Sequence, residues 1–242
     1  MKGKLYGIGT GPGDPELLTI KALNTIQKCS VIAVPAAGNG ERNGDRIAFS
    51  IIEKYLAGKE ILECRFSMEK DITKRREARQ HAADDIIRHL ESGKDVGFIT
   101  LGDPTTYSTY MYVHEIITGK GFDAEIIPGI TSYTAAAAAF GIALCEGNET
   151  LTIIPAGHNA NIDPFLDRPG NKVIMKSGGN LELVFEKLKN RSYGEQTKIA
   201  CRCTMDGQRL FTGIDDYEKS IKPGGPEEDA GYFTIAIVKE KA

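Results

Sequence analysis

The chain has 242 residues, of which 41% are hydrophobic and 26% charged, and its formal net charge is −3. This apolar content can bury the core of one large domain or two modest ones, and the acidic balance argues against a broad nucleic-acid surface. No run of roughly 18 uninterrupted apolar residues occurs and the first residues lead directly into a strand pattern, so we expect a cytoplasmic protein with no membrane partner.

In the first half of the chain, short apolar or β-branched segments alternate with segments of helical periodicity. This alternation is typical of a parallel sheet with helices on both faces. In chain order, we predict a strand at 5–8, a helix from 16 to about 28, a strand at 31–34, a helix from about 46 to 56, a strand at 61–64, a long helix with its apolar stripe between 72 and 90, a strand at 96–99, a helix from about 107 to 118 and a strand at 124–127.

The second half has a different pattern. Pro128 and Gly129 interrupt the alternation, and Thr131 or Ser132 can cap the alanine-rich helix that follows. Fewer helices per strand then favour a mixed or antiparallel sheet. The predicted elements are one strong helix from about 181 to 189 and strands at 151–154, 172–175, 198–203, 209–212 and 232–238.

We therefore predict an α/β protein with two domains. Residues 1–127 would form a domain with a mostly parallel sheet and helices on both of its faces, and residues 128–242 a domain with a mixed sheet.

Two glycine-bearing loops follow strands of the first half, at 7–14 and at 101–110. Ligands of open α/β sheets bind at the carboxyl ends of the strands, so we expect both loops to line one cleft. Glycine lets the backbone approach a ligand closely, and Pro12 and Pro104 stiffen the loops. The pattern suits a neutral or cationic nucleoside, although Gly-Asp-Pro is also an ordinary turn sequence.

The familiar nucleotide and metal motifs are absent. Pro12 occupies a glycine position of G-x-G-x-x-G and offers no amide hydrogen to a pyrophosphate, which disfavours a Rossmann dehydrogenase. There is no P-loop, no nucleophile elbow and no zinc spacing of histidines, so we expect neither covalent catalysis nor a metal site. The five cysteines are scattered and odd in number, so we expect reduced thiols, with Cys201 and Cys203 on one face of a strand.

Basic side chains cluster at the start of the long helix and in an earlier loop. One interpretation is a solvated helix face, and the other is a binding site for a small polyanion. The residues are Lys70, Lys74, Arg75, Arg76 and Arg79, with Arg42 and Arg46 upstream.

Four segments of the chain resemble the tetrapyrrole methylase family. They are the glycine-rich stretch from residue 7 through Ala22, Val-Ile-Ala-Val-Pro from residue 31, Leu-Gly-Asp-Pro from residue 101 and Ile-Ile-Pro-Gly-Ile-Thr-Ser-Tyr from residue 126. Two further features, Thr-x-Tyr-Ser-Thr-Tyr from residue 105 and Arg-Arg-Glu-Ala from residue 75, are similar to the precorrin-2 or cobalt-factor II C20-methyltransferases of cobalamin biosynthesis.

The resemblance implies a homodimeric enzyme that binds S-adenosylmethionine in a cleft between its two domains, takes a tetrapyrrole there and releases S-adenosylhomocysteine. An aromatic residue often follows Thr105 in the family, and here Thr106 stands there, so its contact would be through the backbone. Met175 also suits a core position at the end of an apolar strand. The cofactor contacts implied by motif position are Pro12, Leu101, Gly102, Asp103, Thr106, Thr131, Ser132, Met175 and Cys203.

The implied reaction is attack by an electron-rich meso carbon of the macrocycle on the sulfonium methyl group. The protein would then supply position and desolvation, which agrees with the missing nucleophile and metal motifs. No general base is assigned, since Tyr107, Asp103 and water all qualify. Because the substrate carries many carboxylates, the basic cluster becomes a set of anchors. The implied substrate-binding residues are Arg42, Arg46, Arg75 and Tyr107.

Three alternatives stay open. The chain could be a relative that methylates another ring position, uroporphyrinogen III, an rRNA ribose or a modified histidine, and of these the acidic balance disfavours rRNA. It could instead be a nucleotide-binding enzyme of the same sheet topology, or a non-catalytic nucleoside-binding module.

Overall fold

The computed structural model describes residues 1–37, 43–66, 71–157, 160–220 and 233–240, without the side chains of residue 37 and residues 43–46. The chain divides into two compact units, Met1–Thr131 and Ser132–Ala242. The sequence pattern placed this junction between Ile127 and Pro128. Residues 128–131 stay with the first unit because the amide of Gly129 donates a hydrogen bond to Asp103.

The first unit is built on a parallel five-stranded sheet. Its strands are β1 (Leu5–Gly9), β2 (Val31–Ala37), β3 (Glu60–Phe66), β4 (Val96–Thr100) and β5 (Ala124–Ile127). They lie in the order β3-β2-β4-β1-β5, so that β1 pairs with β4 on one side and with β5 on the other. The connecting helices are α1 (Ile20–Lys28), α2 (Asn43–Ile52), α3 (Ile72–Glu91) and α4 (Tyr110–Gly119).

Side chains of this sheet alternate between two hydrophobic layers. Leu5 and Val31 pack with residues of α3 and α4, whereas Tyr6 and Ile32 pack with residues of α1 and α2. Successive strand residues point to opposite faces, so each strand contributes to both layers. The predicted parallel sheet with helices on both faces is confirmed.

Two helices of the first unit begin later than predicted. Asp14 caps a 3-10 turn at Pro15–Leu17, and the Thr19 hydroxyl then accepts a hydrogen bond from Ala22 N at 3.1 Å, so that α1 begins at Ile20 rather than at residue 16. The helix α4 begins at Tyr110 rather than at residue 107, because Tyr107 has a φ of +53°.

The second unit contains a mixed five-stranded sheet, as predicted. Its strands are β6 (Leu151–Pro155), β7 (Asn171–Met175), β8 (Thr197–Cys201), β9 (Arg209–Thr212) and β10 (Thr234–Val238). In the order β6-β7-β10-β8-β9, only β6 and β7 are parallel to each other among paired strands. Its helices are α5 (Ser132–Phe140), α6 (Asp163–Leu166), α7 (Leu181–Lys189) and α8 (Ile214–Ser220).

Two features of the second unit differ from the prediction. The sequence pattern did not show α6 and α8, because helices of four and seven residues are too short for a full apolar period. The prediction that Cys201 and Cys203 share a strand face is wrong, since Arg202 between them has a φ of +49° and β8 ends at Cys201.

None of the five cysteines, all of which lie within the described residues, forms a disulfide in this structure, and four of them are buried. Across the described ranges, no helix combines the length and the apolar character that crossing a bilayer demands.

Candidate functional site

Three loops leave adjacent strands at one edge of the first sheet. We name them the β1 loop (10–14), the β4 loop (101–109) and the β5 loop (128–131). Because β4, β1 and β5 are parallel neighbours, their carboxyl ends lie side by side. This is the edge at which open α/β sheets bind their ligands.

The β1 and β4 loops are joined through the backbones of Gly11 and Gly102. Gly102 N donates to Gly11 O at 2.7 Å, and Gly11 N donates to Gly102 O at 3.3 Å. Both residues have positive φ, +77° and +74°, in the region that favours glycine. Among the described residues, the only atom within 4.0 Å of a Cβ on Gly102 would be the Ile130 carbonyl oxygen, so these residues leave space open beside this backbone.

The β5 loop packs directly against this pair. A Cβ on Gly129 would lie 2.1 Å from the carbonyl oxygen of Gly102 and 2.9 Å from the Cα of Gly9. A Cβ on Gly9 would in turn lie 2.6 Å from Gly129 N. No side chain fits between these backbones, which form what we call the glycine floor: Gly9, Gly11, Gly102 and Gly129.

Asp103 links the β4 loop to the β5 loop. Its side chain is only 8% exposed. Oδ1 accepts hydrogen bonds from the backbone N of Thr105 at 2.8 Å and from the Thr105 hydroxyl, and Oδ2 accepts one from Gly129 N at 2.9 Å. The carboxylate therefore satisfies backbone amides of two loops at once.

Tyr107 sits in the same loop in a left-handed conformation, with 46% of its surface exposed. Such a backbone costs a residue with a Cβ about 1–2 kcal/mol. The following residue is held in place, because Ser108 Oγ lies 2.9 Å from the Thr100 hydroxyl and accepts a hydrogen bond from Tyr110 N. Strain of this kind concentrates at functional sites, which makes Tyr107 a candidate ligand-contacting residue.

Gly7 serves packing rather than phosphate binding. A Cβ there would lie 2.1 Å from the Tyr110 ring. Tyr110 is fully buried, its hydroxyl lies 2.9 Å from His114 Nδ1, and burial raises the pKa of the phenol above its usual range. The ring thus locks the start of α4 against β1.

Six of the nine predicted cofactor contacts lie in these three loops. The Pro12 ring is buried, and the remaining side chains other than Asp103 are half-buried. The six residues are Pro12, Leu101, Gly102, Asp103, Thr106 and Thr131.

The other three predicted contacts belong to the second unit. Ser132 is the first residue of α5, Met175 ends β7 with 8% of its surface exposed, and Cys203 is buried just beyond β8. Because β7 and β8 both run antiparallel to β10, their carboxyl ends share one edge of the second sheet, about 9.6 Å apart by strand spacing. Burial raises the pKa of the Cys203 thiol, which keeps it neutral.

The backbone at this second edge has an unusual conformation. Lys176, Arg202 and Thr204 have φ values of +58°, +49° and +65°. These residue types have no preference for the left-handed region, so sequence reasoning missed the feature.

The basic cluster lies partly within the described residues. Lys74, Arg75, Arg76 and Arg79 occupy the first two turns of α3. Since α2 and α3 follow the carboxyl ends of β2 and β3, both helices begin at the edge that carries the three loops. The other three residues of the predicted cluster are not described in full. Arg42 and Lys70 lie outside the described residues. Arg46 lies in α2, but its side chain is not among those described.

An aromatic partner of this cluster was not predicted. The guanidinium carbon of Arg79 lies 3.5 Å from the ring centroid of Tyr112 on α4, a close cation–π contact. Tyr112 is 46% exposed. The sequence signal for this contact was Tyr112 itself, a large aromatic residue on the polar face of α4. The parts of the chain described here bring no three metal-ligating side chains together.

Comparison with known proteins assigns the chain to a family. A family model described as tetrapyrrole (corrin/porphyrin) methylases matches residues 4–214. The chain belongs to this family. It is 35% identical to a probable cobalt-precorrin-2 C(20)-methyltransferase of Methanocaldococcus jannaschii over 237 residues, 98% of this chain and 96% of that protein. It is 32% identical to the cobalt-precorrin-2 C(20)-methyltransferase of Salmonella typhimurium over 243 residues, 100% of this chain and 98% of that one.

A solved structure shares the fold of this tetrapyrrole methylase. It is the uroporphyrin-III C-methyltransferase of Thermus thermophilus in complex with S-adenosylhomocysteine, with a TM-score of 0.68, 18% identity and coverage of 98% of both chains. The predicted tetrapyrrole methylase-like fold is confirmed.

Proposed function

We propose that this tetrapyrrole methylase transfers the methyl group of S-adenosylmethionine to C20 of precorrin-2 or of its cobalt-containing counterpart, cobalt-factor II, and releases S-adenosylhomocysteine. The observation that carries the proposal is the 35% and 32% identity, over nearly the whole length of both partners, to two proteins named as C20-methyltransferases. Both names specify a cobalt-containing substrate, which favours the cobalt form.

The glycine floor fits the adenosine part of S-adenosylmethionine. The open space beside Gly102 allows a ligand to reach the backbone without meeting a side chain. The Gly11–Gly102 bridge holds the β1 and β4 loops in this form before the ligand arrives, which lowers the entropic cost of binding. We assign cofactor contacts in the first unit to Pro12, Leu101, Gly102, Thr106 and Thr131, with Asp103 contributing its backbone.

The assignment extends to the second unit. We infer that Ser132, Met175 and Cys203 contact the same cofactor. Met175 and Ile174 are consecutive residues of β7, so their side chains point to opposite faces of the sheet. Ile174 belongs to the core that packs against α6, α7 and α8. Met175 therefore faces away from that core, as a ligand-contacting residue would.

The substrate fits the basic side of the same edge. A tetrapyrrole of this pathway carries many carboxylates, and guanidinium groups bind carboxylates in a bidentate geometry. Along this edge, the start of α3 lies on the side of β4 that carries β2 and β3. The glycine floor lies on the other side of β4, next to β1. We assign carboxylate binding to Arg42, Arg46 and Arg75, and contact with the macrocycle to Tyr107.

The chemistry needs little from the side chains of the protein. When bound, S-adenosylmethionine supplies an electrophilic methyl group. A carbon–carbon bond forms at the meso carbon as the carbon–sulfur bond breaks, its electron pair goes to sulfur, and a proton later leaves the methylated carbon. Holding two reactants in the correct orientation can lower such a barrier by about 7–11 kcal/mol. Because three hydrogen bonds already occupy Asp103, the remaining candidates for proton removal are Tyr107 in its phenolate form and water.

Labelled S-adenosylmethionine incubated with the purified protein and either precorrin-2 or cobalt-factor II tests the proposal. We expect one methyl group per macrocycle, located at C20 by mass spectrometry and NMR. A methyl group at another carbon, or transfer only to uroporphyrinogen III, would assign the chain to another member of the family. Cofactor binding without transfer to any tetrapyrrole would contradict an enzymatic role.

Family membership also supports a homodimer in the cytoplasm. Light scattering of the purified protein should give twice the chain mass of 26.3 kDa. A monomer at the concentrations used for activity would contradict this assignment.

A further inference from the structure

We propose that Asp103 is a positioning residue: its carboxylate holds the Gly129 amide and the Thr105 turn in the form that binds S-adenosylmethionine, and does not itself contact the cofactor. This inference rests on the proposed function, in which the three loops bind that cofactor.

Both carboxylate oxygens of Asp103 accept hydrogen bonds from the protein itself. Oδ1 accepts from the amide and the hydroxyl of Thr105, and Oδ2 accepts from the amide of Gly129 at 2.9 Å. All three donors are uncharged, and the side chain is 8% exposed. A buried carboxylate is tolerated when its oxygens are satisfied in this way. Its negative charge is directed at protein amides rather than at the ligand space.

Only a carboxylate fits this pair of amides. Both oxygens face a backbone N–H, so both atoms at the end of the side chain must be acceptors. An asparagine has one acceptor oxygen and one NH2 donor, and it would place that donor against either Thr105 N or Gly129 N. One of the two backbone amides would then lose its partner.

The hydrogen bond from Gly129 to Asp103 also holds the glycine floor together. Gly129 touches Gly102 and Gly9 so closely that a Cβ on Gly129 would lie 2.1 Å and 2.9 Å from their atoms. If Oδ2 no longer holds the Gly129 amide, the β5 loop moves relative to both glycines. Thr131, a proposed cofactor contact, follows Gly129 by only one intervening residue.

The test is Asp103→Asn, with Asp216→Asn as a matched control. Asp216 also accepts a backbone amide, from Thr212 N at 3.0 Å, but through the single oxygen Oδ2, which an asparagine carbonyl can replace. We expect Asp103→Asn to weaken S-adenosylmethionine and S-adenosylhomocysteine alike, each by about tenfold or more in calorimetric Kd. The KM for the tetrapyrrole and every constant of Asp216→Asn should stay within about twofold of the wild-type values.

The equal loss for the two ligands distinguishes positioning from direct contact. A carboxylate that faced the sulfonium would favour the cationic ligand, and Asp103→Asn would then weaken S-adenosylmethionine far more than S-adenosylhomocysteine. That result would overturn the proposal, as would unchanged Kd values for both. A merely structural role would lower the active fraction, and hence kcat, and would leave both Kd values unchanged.

Hydrogen exchange gives a readout that needs neither ligand nor activity. In the ligand-free protein, the segment containing Gly129 should exchange faster in Asp103→Asn than in the wild type, and unchanged exchange would contradict the proposal. If Asp103→Asn folds poorly, Thr105→Val provides a second test. It removes the hydroxyl that donates to Asp103 and keeps both backbone hydrogen bonds to that carboxylate. It should weaken both ligands equally, by a smaller factor. Failure of the proposed function would appear in the wild type, as absent cofactor binding or methyl transfer.

Discussion

A Cβ added to Gly129 would lie 2.1 Å from the carbonyl oxygen of Gly102. The neighbouring atoms are backbone, so no side chain can rotate away to relieve the contact. We expect Gly129→Ala to destabilise the first unit by about 1–3 kcal/mol, the usual cost of overpacking, and to abolish calorimetric binding of S-adenosylmethionine.

Gly119→Ala is the control for this prediction. Among the described residues, no atom lies within 4 Å of a Cβ on Gly119, and the residue ends α4, so alanine should leave the urea midpoint at or above its wild-type value and the cofactor Kd unchanged. Equal behaviour of the two variants would show that the glycine floor is not closely packed.

Replacing Tyr107 by glycine should stabilise the fold and, at the same time, weaken binding of the tetrapyrrole. Its φ of +53° is strained for a residue with a Cβ, so Tyr107→Gly should raise stability by about 1 kcal/mol while it raises the KM for the tetrapyrrole. Ser192→Gly relieves a similar φ of +60° after α7 and should raise stability without changing KM. A Tyr107→Gly variant with unchanged KM would remove Tyr107 from the substrate site.

Tyr107→Phe separates the ring from the phenol. If Tyr107 in its phenolate form takes the proton from the methylated carbon, kcat falls and the pH profile changes, while the KM for the tetrapyrrole stays unchanged. With water as the acceptor, both constants stay at their wild-type values.

Arg75→Ala should weaken the tetrapyrrole specifically. We expect its KM to rise about tenfold, the loss of one desolvated carboxylate contact, with the Kd for S-adenosylmethionine unchanged. The control is Arg88→Ala on the same helix, because Arg88 pairs with Asp85 at the opposite end of α3. Equal effects of the two variants on KM would make Arg75 an ordinary surface residue.

Glu125 should make stability depend on pH below neutrality. Lys21 and Lys4 donate to its carboxylate at 2.6 and 2.8 Å and lower its pKa to about 2 from an ordinary value of 4.5. The unfolded chain therefore binds this proton first as the pH falls, and the stabilisation present above pH 4.5 is lost between about 4.5 and 2. In Glu125→Gln, the urea midpoint should decline less over this window than in the wild type.

Glu115→Gln on the exposed face of α4 provides the comparison, since Glu115 takes part in no ion pair recorded for the described residues. The same pH dependence in Glu125→Gln as in the wild type would contradict the assigned role of the Lys4–Glu125–Lys21 bridge.

Much of the architecture follows from patterns that are local in the chain. The alternation of apolar strands with amphipathic helices predicted the parallel sheet, and the positions of Gly11 and Gly102 after strands predicted which edge would carry the loops. Periodicity measures burial over neighbouring residues, so it reports these features well.

Other features depend on contacts between distant segments. The hydrogen bond from Gly129 to Asp103 crosses 26 positions of the chain, and nothing near either residue specifies it. The Arg79–Tyr112 contact likewise arises only when α3 packs beside α4. Gly7 resembled part of a nucleotide motif, yet its lack of a side chain makes room for Tyr110. Motif reasoning does not distinguish a glycine needed for a ligand from one needed for a ring.

The sheet order also has a consequence for biosynthesis of the protein. More than a hundred residues separate Gly9 from Gly129, and β5 completes the sheet beside β1. Until β5 leaves the ribosome, β1 is an unprotected edge strand, and such edges recruit other chains. A fragment that ends before Ala124 should therefore aggregate, whereas one that ends after Thr131 retains every strand of the first sheet.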